Sequence, residues 1–257
     1  MAFPFLVHSF PLGLSEHSQM HYWQQGKEPL PMQPGPKWLL AGVGLWSLAY
    51  VVSRLLCPRR SNDFCNRLVS MLHVALSLLL CGISVRDWSH PLDGIGGPST
   101  FPQMLALTVS LAYFIYDSIC CLVELPFKLE DQIHHAITIM GLAYGYLLGS
   151  CGTELVACLM LMELSNPFMH GRELLKELNL KDTSYSFLND VCFASVFTFA
   201  RMIVGPFVVF FTVQADGSPA VKVGAVGIQL VSILWFWRIA RMVLYKIKKR
   251  NLKPKSS

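Results

Sequence analysis

Charge is what this sequence has least of. Of its 257 residues only 14% are Asp, Glu, Lys or Arg, while 53% are apolar, and the mean hydropathy is +0.45. A soluble domain needs a more charged surface than that, so a soluble class is excluded and the composition is that of a membrane protein. Other absences narrow the reading. No Asn-X-Ser/Thr triplet occurs, so no N-linked glycan is expected. Met1 to Phe10 lacks a basic n-region and proline interrupts the apolar run at Pro4 and Pro11, which makes a poor signal peptide. The cysteines form no disulfide framework, because Cys81, Cys120, Cys121, Cys158 and Cys192 fall in apolar runs, where a thiol packs as a small hydrophobe. Cys57 and Cys65 flank a basic loop, where palmitoylation is the alternative to inert thiols. No repeat relates the two halves, which leaves a transporter of the inverted-repeat kind without support.

What the chain has in abundance is long apolar runs. Crossing a hydrocarbon core takes about 20 mainly apolar residues at ~1.5 Å each, and seven stretches approach that length: 38–57, 67–85, 101–125, 133–148, 154–169, 187–213 and 223–245. The fourth and fifth are the shortest, and the sixth is expected to kink at Gly205-Pro206. Basic residues collect in cytosolic loops. Alternate loops receive 14 and 4 Lys or Arg, which orients the N-terminus to the lumenal or outer side and the C-terminus to the cytosol. The formal net charge of +5 thus reflects topology, and no nucleic-acid partner is expected. Pro29, Pro31, Pro34 and Pro36 make residues 1–37 a flexible Pro-rich tail. At the other end, Lys253 and Lys255 resemble a dilysine signal that returns membrane proteins to the endoplasmic reticulum; the alternative is a basic tail that obeys the positive-inside bias and meets anionic lipid.

With this topology the ionisable residues of the apolar runs gather in the cytosolic half. His73 lies roughly 9 Å inside the second run, Asp117 near the end of the third, Asp131, His134 and His135 at the start of the fourth, and Glu163, Asn166 and His170 in the fifth. Asp190 opens the sixth, with Arg201 near its middle. Such groups are costly in hydrocarbon, so each is a candidate functional position. Helical spacing groups Asp131 with His134 and His135, Tyr113 with Asp117, and Glu163 with Asn166 and His170. Arg201 needs a carboxylate or carbonyls facing it, and Asp117 or Glu163 is a candidate partner.

Each residue also has a plainer role. His73 suits an interhelical hydrogen-bonded clip, and Asp117 a structural partner for Arg201. Asn166-Pro167 is expected to break or kink its helix, with Asn166 capping the helical segment beyond the break. Gly94-Ile-Gly-Gly97 reads as a turn rather than a phosphate cradle, because no helix start comes after it at the required spacing. Adjacent histidines make poor two-point metal geometry on a helix, so no metal is expected at His73, His134, His135 and Glu163.

The strings Arg67-Leu-Val-Ser-Met-Leu-His73, Ala112-Tyr-Phe-Ile-Tyr-Asp117, His134-His-Ala-Ile-Thr138, Gly152-Thr-Glu154 and Glu163-Leu-Ser-Asn-Pro167, in that order, resemble the TLC domain family. That family groups translocon-associated proteins, ceramide synthases and ceroid-lipofuscinosis proteins. The resemblance runs from about Asp63 to Lys249, and within the family is nearest the TLC domain-containing protein five group. It implies an all-α polytopic membrane protein: a bundle of six or seven transmembrane helices around a central cavity open toward the cytosol, in the endoplasmic reticulum or Golgi. The implied organisation is a tail at 1–37, a first transmembrane helix and basic loop at 38–62, the TLC domain at 63–249 and a basic cytosolic tail at 250–257. In ceramide synthases the paired histidines are essential and one is thought to act on the acyl group of acyl-coenzyme A. The matching positions are His134 and His135, with Thr138 as in the family's pattern. Two aspartates of those enzymes correspond here to Glu163 and Asn166, so one carboxylate has become an amide.

Two functions in lipid metabolism or lipid homeostasis stay open. In the first, His134 or His135 acts as base or nucleophile in acyl transfer from acyl-CoA to a lipid acceptor, with Glu163 or Asp131 orienting it. His73, Asp117, Asp131, Asn166, His170 and Arg201 form the supporting polar cluster. In the second, a non-enzymatic protein binds lipid or regulates membrane lipid composition with the same cluster. The expected partners are membrane lipids and acyl-CoA as co-substrate; no cofactor is expected to be bound permanently, and the oligomeric state is open.

Overall fold

Gly35 and Pro36 open the first helix, Pro36 at a position where the missing N–H removes no bond. In the computed structural model, residues 34–123 and 129–251 are described. The part of the expected flexible tail before Pro34, and the lysines at 253 and 255, lie outside the described residues, while Pro36 and Lys37 of that expected tail belong to the first helix. Helix α1 (Pro36–Leu56) buries little beyond Trp46 and Ser53 and exposes Leu40, Leu45, Leu48 and Leu55. In water that face would be untenable; against lipid it is the expected one. Ser61 caps α2 (Asn62–Ser84) by accepting from the Phe64 amide at 3.0 Å, and Asp63 in the first turn pairs with Arg67 at 2.7 Å.

Helix α3 (Phe101–Val123) is the axis of the fold: it packs on α1, α2 and α4 (Leu129–Leu148), and its Leu107, Leu111, Ala112 and Phe114 are almost wholly buried. Small residues let its neighbours close in, since a Cβ on Gly42 of α1 would lie 2.8 Å from that of Ala112. Helix α4 stops where Gly149 and Cys151 take positive φ, 62° and 63°. Next come α5 (Gly152–Glu163) and α6 (Asn166–Glu177), then α7 (Ser184–Phe197), a π-helical stretch (Thr198–Val204), α8 (Gly205–Gln214) and α9 (Pro219–Asn251).

The protein is an all-α polytopic membrane protein. Among the described residues, five helical stretches are long and apolar enough to cross a membrane: Pro36–Leu56, Asn62–Ser84, Phe101–Val123, Ser184–Gln214 and Pro219–Tyr245. The fourth and fifth expected runs are not among them. Helix α4 carries Glu130 and Asp131 in its first turn, and the fifth run is divided between two helices of 12 residues each. The break comes just before Asn166-Pro167, as expected, but Asn166 is the first residue of α6, not its cap, and Ser165 stands at the cap position without a side-chain bond. The Gly205-Pro206 disturbance takes the form of the π-helical stretch just before it. Pro206 has no N–H to give Met202 and its ring crowds that carbonyl, so the preceding turn widens. Gly94 (φ +83°) and Gly96 (φ +77°) form the expected turn, closed by the Gly97 amide on the Gly94 carbonyl at 3.0 Å.

Candidate functional site

Three helices meet at Asp117. From α2, the Asn66 amide donates to Asp117 Oδ1 at 2.8 Å, and Asn66 Oδ1 accepts from the Tyr116 hydroxyl at 2.7 Å. From α4, His135 Nε2 lies 3.3 Å from Asp117 Oδ2. One turn along α3 the Tyr113 hydroxyl donates to Ser70 at 2.8 Å, and Ser70 donates to the Asn66 carbonyl at 3.0 Å. Every member is buried or nearly so, and the bonds link three helices; among these side chains His135 Nδ1 is the atom left without a hydrogen-bond partner among the described residues.

A second group stands deeper along α2. His73 is fully buried, stacked on Tyr113 with ring centres 3.8 Å apart, and its Nε2 faces Ser110 Oγ at 3.2 Å. Its Nδ1 is 4.0 Å from Glu163 Oε2. The Asn166 amide donates to the same Glu163 oxygen at 3.1 Å, and Asn166 Oδ1 accepts from Arg201 at 3.3 Å. Arg201 also donates to the Met162 carbonyl at 2.6 Å, a carbonyl made available by the break between α5 and α6. The expected pairing of Arg201 with Asp117 or Glu163 is thus replaced by a carbonyl and an amide, because Asp117 is held by Asn66 and His135 and Asn166 stands before Glu163.

His134 faces elsewhere. It lines a partly open cavity between α4, α5, α8 and α9, with an interior of about 90 Å³ and about 900 Å³ of atom-free space once the open solvent at its mouth is counted. The walls are overwhelmingly apolar, with Ile137, Leu155, Leu159, Val208 and Ile228 among them; Arg201, Gln229 and Ser232 join His134 on the lining. Trp235 lies against His134 with ring centres 5.0 Å apart. From Arg201 to Thr212 the lining runs roughly 16 Å along the helix. At the opposite end Glu154 accepts from the Gly96 amide at 3.1 Å and ties α5 to the glycine turn.

The structure therefore distributes the expected residues over three environments. His134 is in the cavity, His135 on Asp117, and Glu163 on His73 and Asn166. The carboxylate that meets a member of the histidine pair is Asp117, on His135, and not Glu163; neighbours on a helix point about 100° apart, and His134 meets α3 only at the Phe114 ring, 6.4 Å between centres. His170 is buried on α6, past the helix break, so the stripe expected for Glu163, Asn166 and His170 is not one continuous helix face. The Asp131 side chain lies outside the described residues. Asp190 pairs with Arg172 at 3.6 Å. Asp117, Cys121 and His135 could hold a cation, their ligand atoms lying within 4.8 Å of one another, and the His135–Asp117 contact already accounts for that closeness.

Asn66, Ser70, Ser77 and Ser110 were not expected as site residues. A signal existed for three of them: Asn66, Ser70, His73 and Ser77 recur at spacings of four, three and four in an otherwise apolar helix, a polar stripe on one face. Gln229, Ser232 and Trp235 carry no such signal.

Outside the membrane-spanning segments, Ser61 fastens α2 to α6. Its amide and hydroxyl both donate to the Glu177 carboxylate, the amide at 3.0 Å. Desolvation opposes ionisation of Glu177, but these bonds outweigh it and hold the carboxyl below its ordinary value of 4.5.

The TLC domain model, which covers the TRAM, LAG1 and CLN8 proteins, matches residues 63–241. A curated relative, TLC domain-containing protein 4 C of Dictyostelium discoideum, is 27% identical over 161 residues, 60% of this chain and 58% of the relative. The matched part thus spans less than two thirds of that relative's length.

Proposed function

The chain belongs to the TLC domain family, and from that premise we propose that it takes a lipid acyl chain into the cavity between α4, α5, α8 and α9 and transfers it through His134. Membership of the family links this multi-pass membrane protein to membrane lipids. The observation that carries the finer reading is an imidazole on the lining of a long, mainly apolar cavity. In the transfer, a ring nitrogen of His134 attacks the thioester carbonyl of acyl-CoA, the C–S bond breaks, and coenzyme A leaves as thiol with the proton that the acylated ring gives up from its other nitrogen, a proton the acceptor's hydroxyl or amine later returns. A hydroxyl or amine of a lipid acceptor then takes the acyl group from the imidazole, whose ring is restored. Apolar walls protect the acyl-imidazole from water. His135, held by Asp117, fixes the rotation of α4 and so aims its neighbour.

A second reading, lipid binding or regulation of lipid composition without chemistry, is favoured by a specific observation. His134 Nδ1 is buried with no hydrogen-bond partner among the described residues, so none of their carboxylates fixes its tautomer. In both readings the protein resides in the endoplasmic reticulum or Golgi with its C-terminus in the cytosol, which rests on the loop charge asymmetry and the lysines at 253 and 255.

Purified protein given palmitoyl-CoA should gain one palmitoyl mass on His134, and lipid profiles of cells carrying His134→Ala should lose one product class. Absence of both, with lipid still retained in the purified protein, rejects transfer in favour of binding. Absence of retained lipid rejects the cavity reading altogether.

A further inference from the structure

A guanidinium in an apolar interior needs every N–H satisfied, and Arg201 falls short. It is 4% exposed, and among the described residues its side chain bonds through Nη2, to the Met162 carbonyl and to Asn166. Nε and Nη1 have no hydrogen-bond partner among the described residues. Its planar faces are covered by Phe197 and Trp235, whose ring centres lie 4.8 and 5.6 Å from Cζ, and Nε and Nη1 are themselves buried, so a partner can meet the guanidinium only along its edge. The charge is not neutralised in contact either. Glu163 is reached only through the Asn166 amide, which gives its N–H to the carboxylate and its oxygen to the guanidinium. A structural clip for the α5–α6 break would need the two bonds that exist; it does not account for two further nitrogens left bare in a lining residue of the cavity. Leaving such donors unmet is costly, and more so on a charged group.

We infer that Arg201 receives the anionic head of a single-chain lipid, carboxylate or phosphate monoester oxygens, with the hydrocarbon chain lying along the cavity. This rests on the cavity's being a lipid site and names the class of lipid it holds. Arginine suits the task because its fork matches two oxygens of one head group, stays charged, and stacks between rings. The π-helical stretch that carries Arg201 sets it at one end of the roughly 16 Å of lining between it and Thr212, so head and chain are placed in sequence. The Gln229 amide donates to the Arg201 carbonyl at 3.0 Å and braces that stretch from α9.

The test uses the full chain, stripped of lipid, in nanodiscs of neutral phosphatidylcholine, with radiolabelled palmitate, palmitoyl lysophosphatidate and methyl palmitate as probes and inorganic phosphate as competitor. An anionic probe should bind the wild type at least tenfold more tightly than the ester, a difference of about 1.4 kcal/mol. Arg201→Met should bring the ratio to about one without weakening the ester, and Arg201→Lys should retain part of it. Equal binding of acid and ester by the wild type overturns the inference while leaving the cavity reading intact. Displacement of the lipids by millimolar phosphate also overturns it, since the site would then serve a free anion. If the ester does not bind at all and Gly224→Leu, which fills the cavity, changes nothing, the cavity reading itself has failed. Because the decisive ratio is read on the wild type, a misfolded variant does not rescue the inference.

Discussion

Replacing Asn66 by alanine tests whether the Asp117 network is what joins α2, α3 and α4. Asn66 is buried and its side chain makes two bonds, donating to Asp117 at 2.8 Å and accepting from Tyr116 at 2.7 Å. Alanine removes both and leaves a phenol and a carboxylate oxygen each short of a partner. In water-soluble proteins each loss would cost about 1–3 kcal/mol. Within membranes the unfolded reference also finds partners, and interhelical bonds average about 0.6 kcal/mol with a ceiling near 1.7. The two together therefore give about 1–3 kcal/mol, and Asn66→Asp should be worse. It would set two carboxylates 2.8 Å apart, where like charges repel by roughly 6 kcal/mol at an effective dielectric of 20. Thermal unfolding of the purified protein should place wild type highest, then Asn66→Ala, then Asn66→Asp. A double-mutant cycle with Asp117→Ala should show coupling above about 0.5 kcal/mol. Additive effects, or an Asn66→Asp protein as stable as Asn66→Ala, refute the claim that these side chains act as one unit.

Further outcomes concern four single positions. Gly42→Ala places a methyl 2.8 Å from the Ala112 Cβ and should destabilise by about 1–3 kcal/mol; Gly44→Ala, with nothing within 4 Å of the new carbon, should be neutral or slightly stabilising in the same unfolding assay. Gly96→Ala must hold φ near +77° with its Cβ 3.1 Å from the Asp216 carbonyl oxygen, and should lose about 1–2 kcal/mol from the backbone alone, seen as a lower melting temperature. Glu177 has a lowered pKa in the fold, so its contribution is present above the unfolded value and is lost as pH falls through the folded one. Glu177→Gln should therefore melt lower than wild type near neutral pH, with the two curves converging in acid; a constant gap across pH argues against the Ser61–Glu177 bond.

How much of this was legible depends on the kind of signal. Apolar runs of membrane length announce themselves, and α1 and α3 begin and end close to where composition changes, whereas α2 starts earlier, at Asn62, and α9 runs on through the basic residues to Asn251. The break before Pro167 and the disturbance before Pro206 were legible for the same reason, since a residue without an N–H must interrupt a helical ladder wherever it stands. The form of each disturbance was not. Whether a helix answers a proline by breaking, as before Asn166, or by widening, as from Thr198 to Val204, depends on what neighbouring helices supply to the freed carbonyls. Arg201, reaching the Met162 carbonyl, is such a supplier.

The sequence by itself determined that this is a membrane-embedded helical chain, that its ionisable residues concentrate in a few helices, and that it shares the ordered motifs of the TLC domain. Spacing along one helix is a local property, and it is enough for all of that. Only the tertiary structure decided which polar groups meet: His135 with Asp117, Glu163 with His73 and Asn166, and His134 with neither carboxylate but on the cavity lining. Adjacent side chains on a helix diverge by about 100°, so the fate of each histidine was set by the rotation of α4 against α3 and α9, and that rotation is fixed by packing between helices far apart in the chain.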